Sequence, residues 1–143
     1  MKSTKSKKIQ QIITSIQETS YFQQAFTHTS YCHENNLLPN HSYENLEFFG
    51  DSVLNFQVSR YVYHNFPDFR EGQLSKLKQL MVQESTLATL SKEIGLAKYL
   101  LLGTGERKNH GLEKNSILAD VFESFLAALY LTKGEKSVQR FLN

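Results

Sequence analysis

The stretch Glu44-Asn45-Leu46-Glu47-Phe48-Phe49-Gly50-Asp51-Ser52-Val53-Leu54 constrains this chain more than any other. At about 100° of rotation per helical residue, Glu44, Glu47 and Asp51 share one stripe of a helix. Leu46, Phe49 and Val53 fall on the opposite side, the natural face for a core. Acids stacked on one helical face repel each other. Such a face is either bathed in water or holds a cation. For Glu44 and Glu47 alone, a solvated face is sufficient explanation. Asp51 shifts the balance, because Asp is a poor helix former and it follows Gly50, which is poorer still. That pair predicts close backbone packing at Gly50 and a short, rigid carboxylate at Asp51.

A second stretch, Ser116 to Tyr130, repeats the theme. Leu118, Phe122, Phe125 and Leu129 form an apolar stripe at helical spacing. Asp120 and Glu123 lie off that stripe, on a face that continues through Ser124, Ala127 and Leu131. Small residues there let another helix approach. If the two acidic helices pack side by side, Glu47, Asp51, Asp120 and Glu123 can surround a divalent cation.

The remaining sequence is that of one helical domain. A chain of 143 residues is long enough for a real core. A net charge of +2 is too small for bulk attraction to nucleic acid, so any such binding rests on local patches and on metal. The single cysteine, Cys32, excludes an internal disulfide and fits a cytoplasmic location. No apolar run is long enough to span a membrane. Met1 to Lys8 reads as a frayed basic end. Ile9, Ile12, Ile13 and Ile16 give a short helix, and Tyr21 to Phe26 another. Residues 32–42 carry loop chemistry, with Ser42 the expected N-cap of the acidic helix. That helix is expected to reach Asn65, before Pro67. Glu71 opens the next, whose core face runs through Leu74, Leu77, Leu80 and Met81 and on through Leu87, Leu90 and Ile94 to a cap at Gly95. Leu100 to Leu102 reads as a buried strip, and Gly103 to Gly111 as an exposed polar loop. It follows no strand and is no nucleotide-binding fingerprint. A helix from Ser116 to Leu131 and a short one through Val138 and Phe141 complete the chain. No strand pattern is present, so the expected class is all-α.

On these residues the chain resembles the bacterial ribonuclease III family. Glu44-x-x-Glu47-Phe48-Phe49-Gly50-Asp51-Ser52-Val53-Leu54 is similar to the signature of its endonuclease domain, and Ser116 to Glu123 to its second acidic motif. Arg70-Glu71-Gly72-x-Leu74-Ser75-x-Leu77-Lys78 and Ala25-Phe26-Thr27-His28-Thr29-Ser30-Tyr31 resemble two further family stretches, in the family's order. The resemblance covers nearly everything after residue 20. It implies a homodimeric helical bundle over residues 1–143. Family members usually continue into a double-stranded-RNA-binding domain, absent here, so the expectation is either a trimmed catalytic domain or a natural minimal form, and the wording of the signature favours a trimmed member of the two-domain class. The resemblance assigns Glu47, Asp51, Asp120 and Glu123 to metal, with Asp51 and Glu123 catalytic, and places Glu44 and Glu71 as further acids of the cleft. Each of these last two also has an ordinary helical explanation. Phe49 stands where many members have Leu, and Asn45 where many have Arg.

The implied activity is magnesium-dependent hydrolysis of double-stranded RNA, with Mn2+ as a substitute, leaving 5′-phosphate and 3′-hydroxyl ends with two-nucleotide 3′ overhangs. Processing of ribosomal precursor and messenger RNA is the implied role. Phe48, about 40° from Glu44 on the wheel, is the implied plug of a pocket in a second copy; a neighbouring helix covering it is the alternative. Lys76, Lys78, Arg107 and Lys108 are candidate phosphate contacts, or simply solvated charges. His28 reads as structural. Two other classes compete. A carboxylate-bridged di-iron protein would want Glu-x-x-His pairs, and no His follows Glu44 or Asp120 at that spacing. A non-catalytic RNA-binding or dimerisation module would not need all the acids.

Overall fold

The computed structural model describes residues 4–143, and their regular structure is helical. In chain order the helices are α1 (Thr4–Ile16), α2 (Ser20–Ala25), α3 (Thr29–Glu34), α4 (Glu44–Asn65), α5 (Glu71–Val82), α6 (Glu84–Ile94), α7 (Thr104–Lys108), α8 (Asn115–Lys133) and α9 (Glu135–Leu142). Short 3-10 turns cover Pro39–His41, Leu96–Tyr99 and Gly111–Glu113. Among the described residues the β-type pairing is one isolated parallel bridge, Thr27 with Leu101. The all-α expectation holds.

Helix α8 is the axle. Its run from Phe125 to Leu129 is wholly buried, along with Leu118 and Val121. A helix that is apolar nearly all round has to be enclosed by others, and α2, α4, α6 and α9 all pack against it. Phe22, Phe26, Phe125 and Phe141 make tilted and edge-on ring contacts around its middle. Two buried hydroxyls tie neighbours to it. Ser91 Oγ donates to the Leu118 carbonyl at 2.6 Å, and Ser124 Oγ donates to the Ala25 carbonyl at 2.6 Å. Each removes a polar group from the core without leaving it unpaired.

Helix α4 lies along α8 and runs the same way, since Tyr43 meets Asp120, Gly50 meets Glu123, and Gln57 reaches Glu135. The closest approach is at Gly50. A Cβ there would collide with the Glu123 main chain, its carbonyl carbon only 2.6 Å away. Only glycine admits that approach. The buried face of α4 is therefore centred on Leu46, Gly50, Val53, Leu54 and Gln57. Phe49 sits at the edge of this face, 36 % exposed and edge-on to Tyr130, not in the core as its wheel position suggested.

Several local expectations are corrected. Helical structure begins at Thr4, so Lys5 to Lys8 are not frayed, while residues 1–3 lie outside the described residues. The loop-like segment 32–42 contains the end of α3 and a 3-10 turn. The cap of α4 is Tyr43, although the Ser42 hydroxyl still accepts the Glu44 N–H at 3.3 Å. The helix expected from Glu71 to Ile94 breaks at Gln83, which is extended. The Leu80 carbonyl freed by the break accepts the Thr86 hydroxyl at 2.7 Å. Helix α5 packs on the core only in part: Leu74, Leu77 and Met81 are partly buried against it, while Leu80 is 54 % exposed and no α5 residue is fully buried. Leu90 is likewise exposed. The glycine-bearing segment is not an open loop. Gly103 and Gly111 are buried, and Glu34 holds the start of α7, accepting from Thr104 N–H and hydroxyl at 2.6 and 2.7 Å.

Candidate metal centre

The parallel course of α4 and α8 brings Glu47 and Asp51 against Asp120 and Glu123. The Gly50 contact sets this: it presses the turn between Glu47 and Asp51 directly onto the Glu123 backbone. Glu47, Asp120 and Glu123 are half-buried, and Asp51 and Glu44 are exposed.

Electrostatics shows how close the carboxylates lie. The Glu123 carboxyl is pushed up to about 8, first by burial, then by a hydrogen bond with Asp51 and by the charges of Asp51, Glu47 and Asp120. Glu47 is raised by burial and by Asp120, Asp51 and Glu44. Asp120 is raised by burial and by Glu84 and Glu44, against the opposing pull of the Tyr43 hydroxyl and His28. Two ionised carboxylates cannot donate to each other. Glu123 Oε2 is buried and has no hydrogen-bond partner. It needs either a proton or a cation. All the donors are hard oxygens, the set that suits magnesium or manganese. The residues thus fit such an ion. Among the described residues, no three carboxylate, imidazole or thiolate groups yet close on a single point as a finished cage. The acids are gathered, not clamped.

Glu71 stands apart. It is exposed in the first turn of α5, accepts the Ser75 hydroxyl at 2.8 Å, and is not among the charges acting on the cluster. His28 is structural, as expected: its Nδ1 accepts the Ser30 N–H at 3.0 Å and caps α3. Arg107 donates to the Leu100 carbonyl at 3.3 Å, which gives it a local role within the chain. Lys76 is exposed, and Lys108 ends α7 in solvent. Phe48 is 79 % exposed, and no helix among the described residues covers it.

Two residues of the site escape a reading of the sequence. Tyr43 is buried and its hydroxyl donates to Asp120 Oδ2 at 2.9 Å. Burial and the surrounding carboxylates push its own pKa far up, so it stays a neutral donor. Glu84, opening α6, adds to the negative field at Asp120. Neither shows a local pattern. The only sequence signal for Tyr43 is its place next to Glu44.

Residues 18–143 match the family model described as Ribonuclease-III-like. The chain is 46 % identical over 128 residues to Ribonuclease 3 of Spiroplasma citri, covering 90 % of this chain and 51 % of that protein. It is 45 % identical over 119 residues to Ribonuclease 3 of Streptococcus thermophilus, covering 83 % and 52 %. The chain spans about half the length of these relatives. A crystal structure of the nuclease domain of ribonuclease III from Campylobacter jejuni superposes with a TM-score of 0.82 at 31 % identity, covering 99 % of this chain and 92 % of that one. A second structure of that domain, whose description concerns flexibility in a region involved in dimer formation, gives 0.81 at 30 % identity over 94 % and 92 %. Dicer from Pichia stipitis gives 0.60 at 28 % identity over 85 % and 52 %. With a family model matched over residues 18–143 and this likeness over nearly its whole length, the chain belongs to the ribonuclease III family.

Proposed function

We propose that this chain is a magnesium-dependent ribonuclease III endonuclease domain that hydrolyses phosphodiester bonds of double-stranded RNA. The observation that carries the reading is the half-buried Glu123 carboxyl, crowded by Asp51, Glu47 and Asp120 and left with an unpartnered oxygen. Such crowding has no stabilising purpose in a helix pair. It suits a site that takes up positive charge.

Glu47, Asp51, Asp120 and Glu123 would hold the cation, with Asp51 and Glu123 nearest the chemistry. The ion, Mg2+ or Mn2+, supplies Lewis acidity, a water of lowered pKa and neutralisation of leaving-oxygen charge. The chain's own part is placement. Helices α4 and α8 carry the carboxylates, and the absence of a side chain at Gly50 lets the two helices come close enough to bring them together. Glu123 keeps a proton near neutrality in the absence of other positive charge and gives it up when that charge arrives. Asp51 is exposed, as a group that meets a duplex has to be. Glu44 lies at the rim of the cluster and Glu71 farther out, as acids of the wider cleft. Duplex RNA is read through shape, phosphates and 2′-hydroxyls, with Lys76 and Lys78 on α5 as candidate contacts.

We further propose a homodimer. Phe48, Phe56 and Tyr63 are 79 %, 60 % and 68 % exposed. Spaced by eight and seven residues, they form one aromatic ridge along α4. An exposed ridge of this kind marks an interface. A groove of about 580 Å3 between α4 and α5, lined by Phe56, Val62, Tyr63 and Leu74, lies beside it. A twofold dimer would set two acidic clusters in one cleft, one per strand, which accounts for staggered cuts with two-nucleotide 3′ overhangs, 5′-phosphates and 3′-hydroxyls. Ribosomal-precursor and messenger processing in the cytoplasm follows from the family resemblance. Among the described residues no helix is long and apolar enough to cross a membrane.

The di-iron alternative would want Glu-x-x-His pairs, and Glu47 and Glu123 stand where those histidines would. Incubation with a long RNA duplex, with and without Mg2+, followed by analysis of product ends, tests the reading. Metal-dependent staggered products support it. Intact duplex in saturating Mg2+ overturns it.

A further inference from the structure

The stretch Thr27-His28-Thr29-Ser30 is dense in polar side chains, yet their hydrogen bonds run among themselves and to nearby main chain and not to the carboxylates. Its hydrogen bonds lead there in steps. The segment is pinned to Leu101, with His28 N–H donating to the Leu101 carbonyl at 3.0 Å and Leu101 N–H donating to the Phe26 carbonyl at 2.8 Å. The Gly103 N–H donates to Ser30 Oγ at 2.9 Å. Ser30 Oγ in turn lies 2.7 Å from His28 Nδ1, which fixes the plane of the imidazole. The ring of Tyr43 stands edge-on to that imidazole, with centroids 5.8 Å apart at 69°. The Tyr43 N–H donates to the Thr27 carbonyl at 2.8 Å. Main chain and ring are therefore both held, and the phenol has one direction left, towards Asp120 Oδ2 at 2.9 Å.

Tyr43 also touches the other helix of the site. Its carbonyl accepts the Glu47 N–H at 2.8 Å, so it starts the first turn of the helix that carries Glu47 and Asp51. One residue thereby registers α4 against the carboxylate of α8. A carboxylate free to rotate samples many orientations and must be ordered at each binding event. A donor on one oxygen stops that rotation and leaves the other oxygen to the cation.

We propose that Tyr43, seated by the Thr27–Ser30 turn, is the positioning residue that aims the Asp120 carboxylate for cation binding. This rests on the metal reading of the cluster above. The Ala25–Tyr31 stretch thereby acquires a purpose. It builds the seat for the tyrosine that aims a ligand.

Tyr43→Phe keeps the ring and its packing and removes only the hydroxyl. Manganese binding, followed by electron paramagnetic resonance of the free ion, is compared for wild type and Tyr43→Phe without RNA. The dissociation constant is expected to rise roughly 10-fold, the range seen when second-sphere partners of metal ligands are removed. The Mg2+ concentration giving half-maximal cleavage should rise by the same factor, while the KM for duplex stays unchanged. A merely structural tyrosine would move duplex affinity and melting instead. Equal manganese affinity in wild type and Tyr43→Phe overturns the proposal and leaves the metal reading standing. If wild type takes up no manganese, both fall. Should Tyr43→Phe not fold, Ser30→Ala carries the test: the same rise supports the proposal, and an unchanged constant overturns it.

Discussion

Glu123→Gln should make the metal-free protein more stable, although it alters a half-buried group in the heart of the fold. The Glu123 pKa is raised from 4.5 to about 8 on folding. Between those values the folded chain holds a proton that the unfolded chain has released. The stability that the proton supports is complete below about pH 4.5 and is lost as pH rises towards about 8. At pH 7.5 the undiminished cost would be about 4 kcal/mol. The side chain is only partly buried, so solvent screening lowers this to about 1–2 kcal/mol. Glutamine stays neutral at every pH and its amide can donate to Asp51 where the protonated acid does. In EDTA at pH 7.5, Glu123→Gln should therefore melt roughly 3–8 °C above wild type. Between pH 5 and 8 the wild-type melting temperature should fall while that of the variant changes less. In Mg2+ the order should reverse, because an ion at about 100 times its Kd stabilises by about 2.7 kcal/mol and the variant has lost a ligand. Scanning calorimetry across pH, with EDTA and with Mg2+, reads all of this. A variant less stable than wild type in EDTA, together with a flat wild-type pH profile, would refute the crowding of these carboxylates.

Other consequences can be checked singly. Gly50→Ala gains about 1 kcal/mol of helix propensity but forces α4 from the Glu123 main chain, an overpacking cost of about 1–3 kcal/mol or more; melting should drop by several degrees and Mg2+ affinity should weaken, and an unchanged melting curve would contradict the close approach. Phe48→Ser should convert dimers to monomers on sizing with little change in helical circular dichroism, whereas persistence of the dimer would reject the ridge as its interface. Asp51→Asn should abolish cleavage of duplex RNA while melting in EDTA stays at or above the wild-type value, and retained cleavage would remove Asp51 from the site.

The candidate site was legible in the sequence because its parts are local. The acids at Glu44, Glu47 and Asp51 repeat at helical spacing, and Leu118, Phe122, Phe125 and Leu129 mark the partner helix on their own. Gly50 announced close packing because a glycine in mid-helix costs stability. What stayed hidden depends on distant partners. Tyr43 acts on Asp120, 77 residues away, and no spacing rule reaches that far. Helix α7 was concealed by its glycines, since the carboxylate that holds its start comes from Glu34 in α3. The break at Gln83 was hidden because apolar residues recur at helical intervals on both sides of it, and only the exposure of Leu80 reveals the change of direction. Phe49 went astray for a related reason. The approach at Gly50 turns α4 about its axis and leaves Phe49 at the margin of the buried face.

Whether carboxylates of α4 and α8 share one ion can be read at the Glu123 carboxyl carbon, followed by NMR through a pH titration with and without Mg2+. Without the ion, this carboxyl should titrate near 8, and with saturating Mg2+ it should remain ionised through the neutral range. An ordinary carboxylate titration in both conditions would contradict a shared ion.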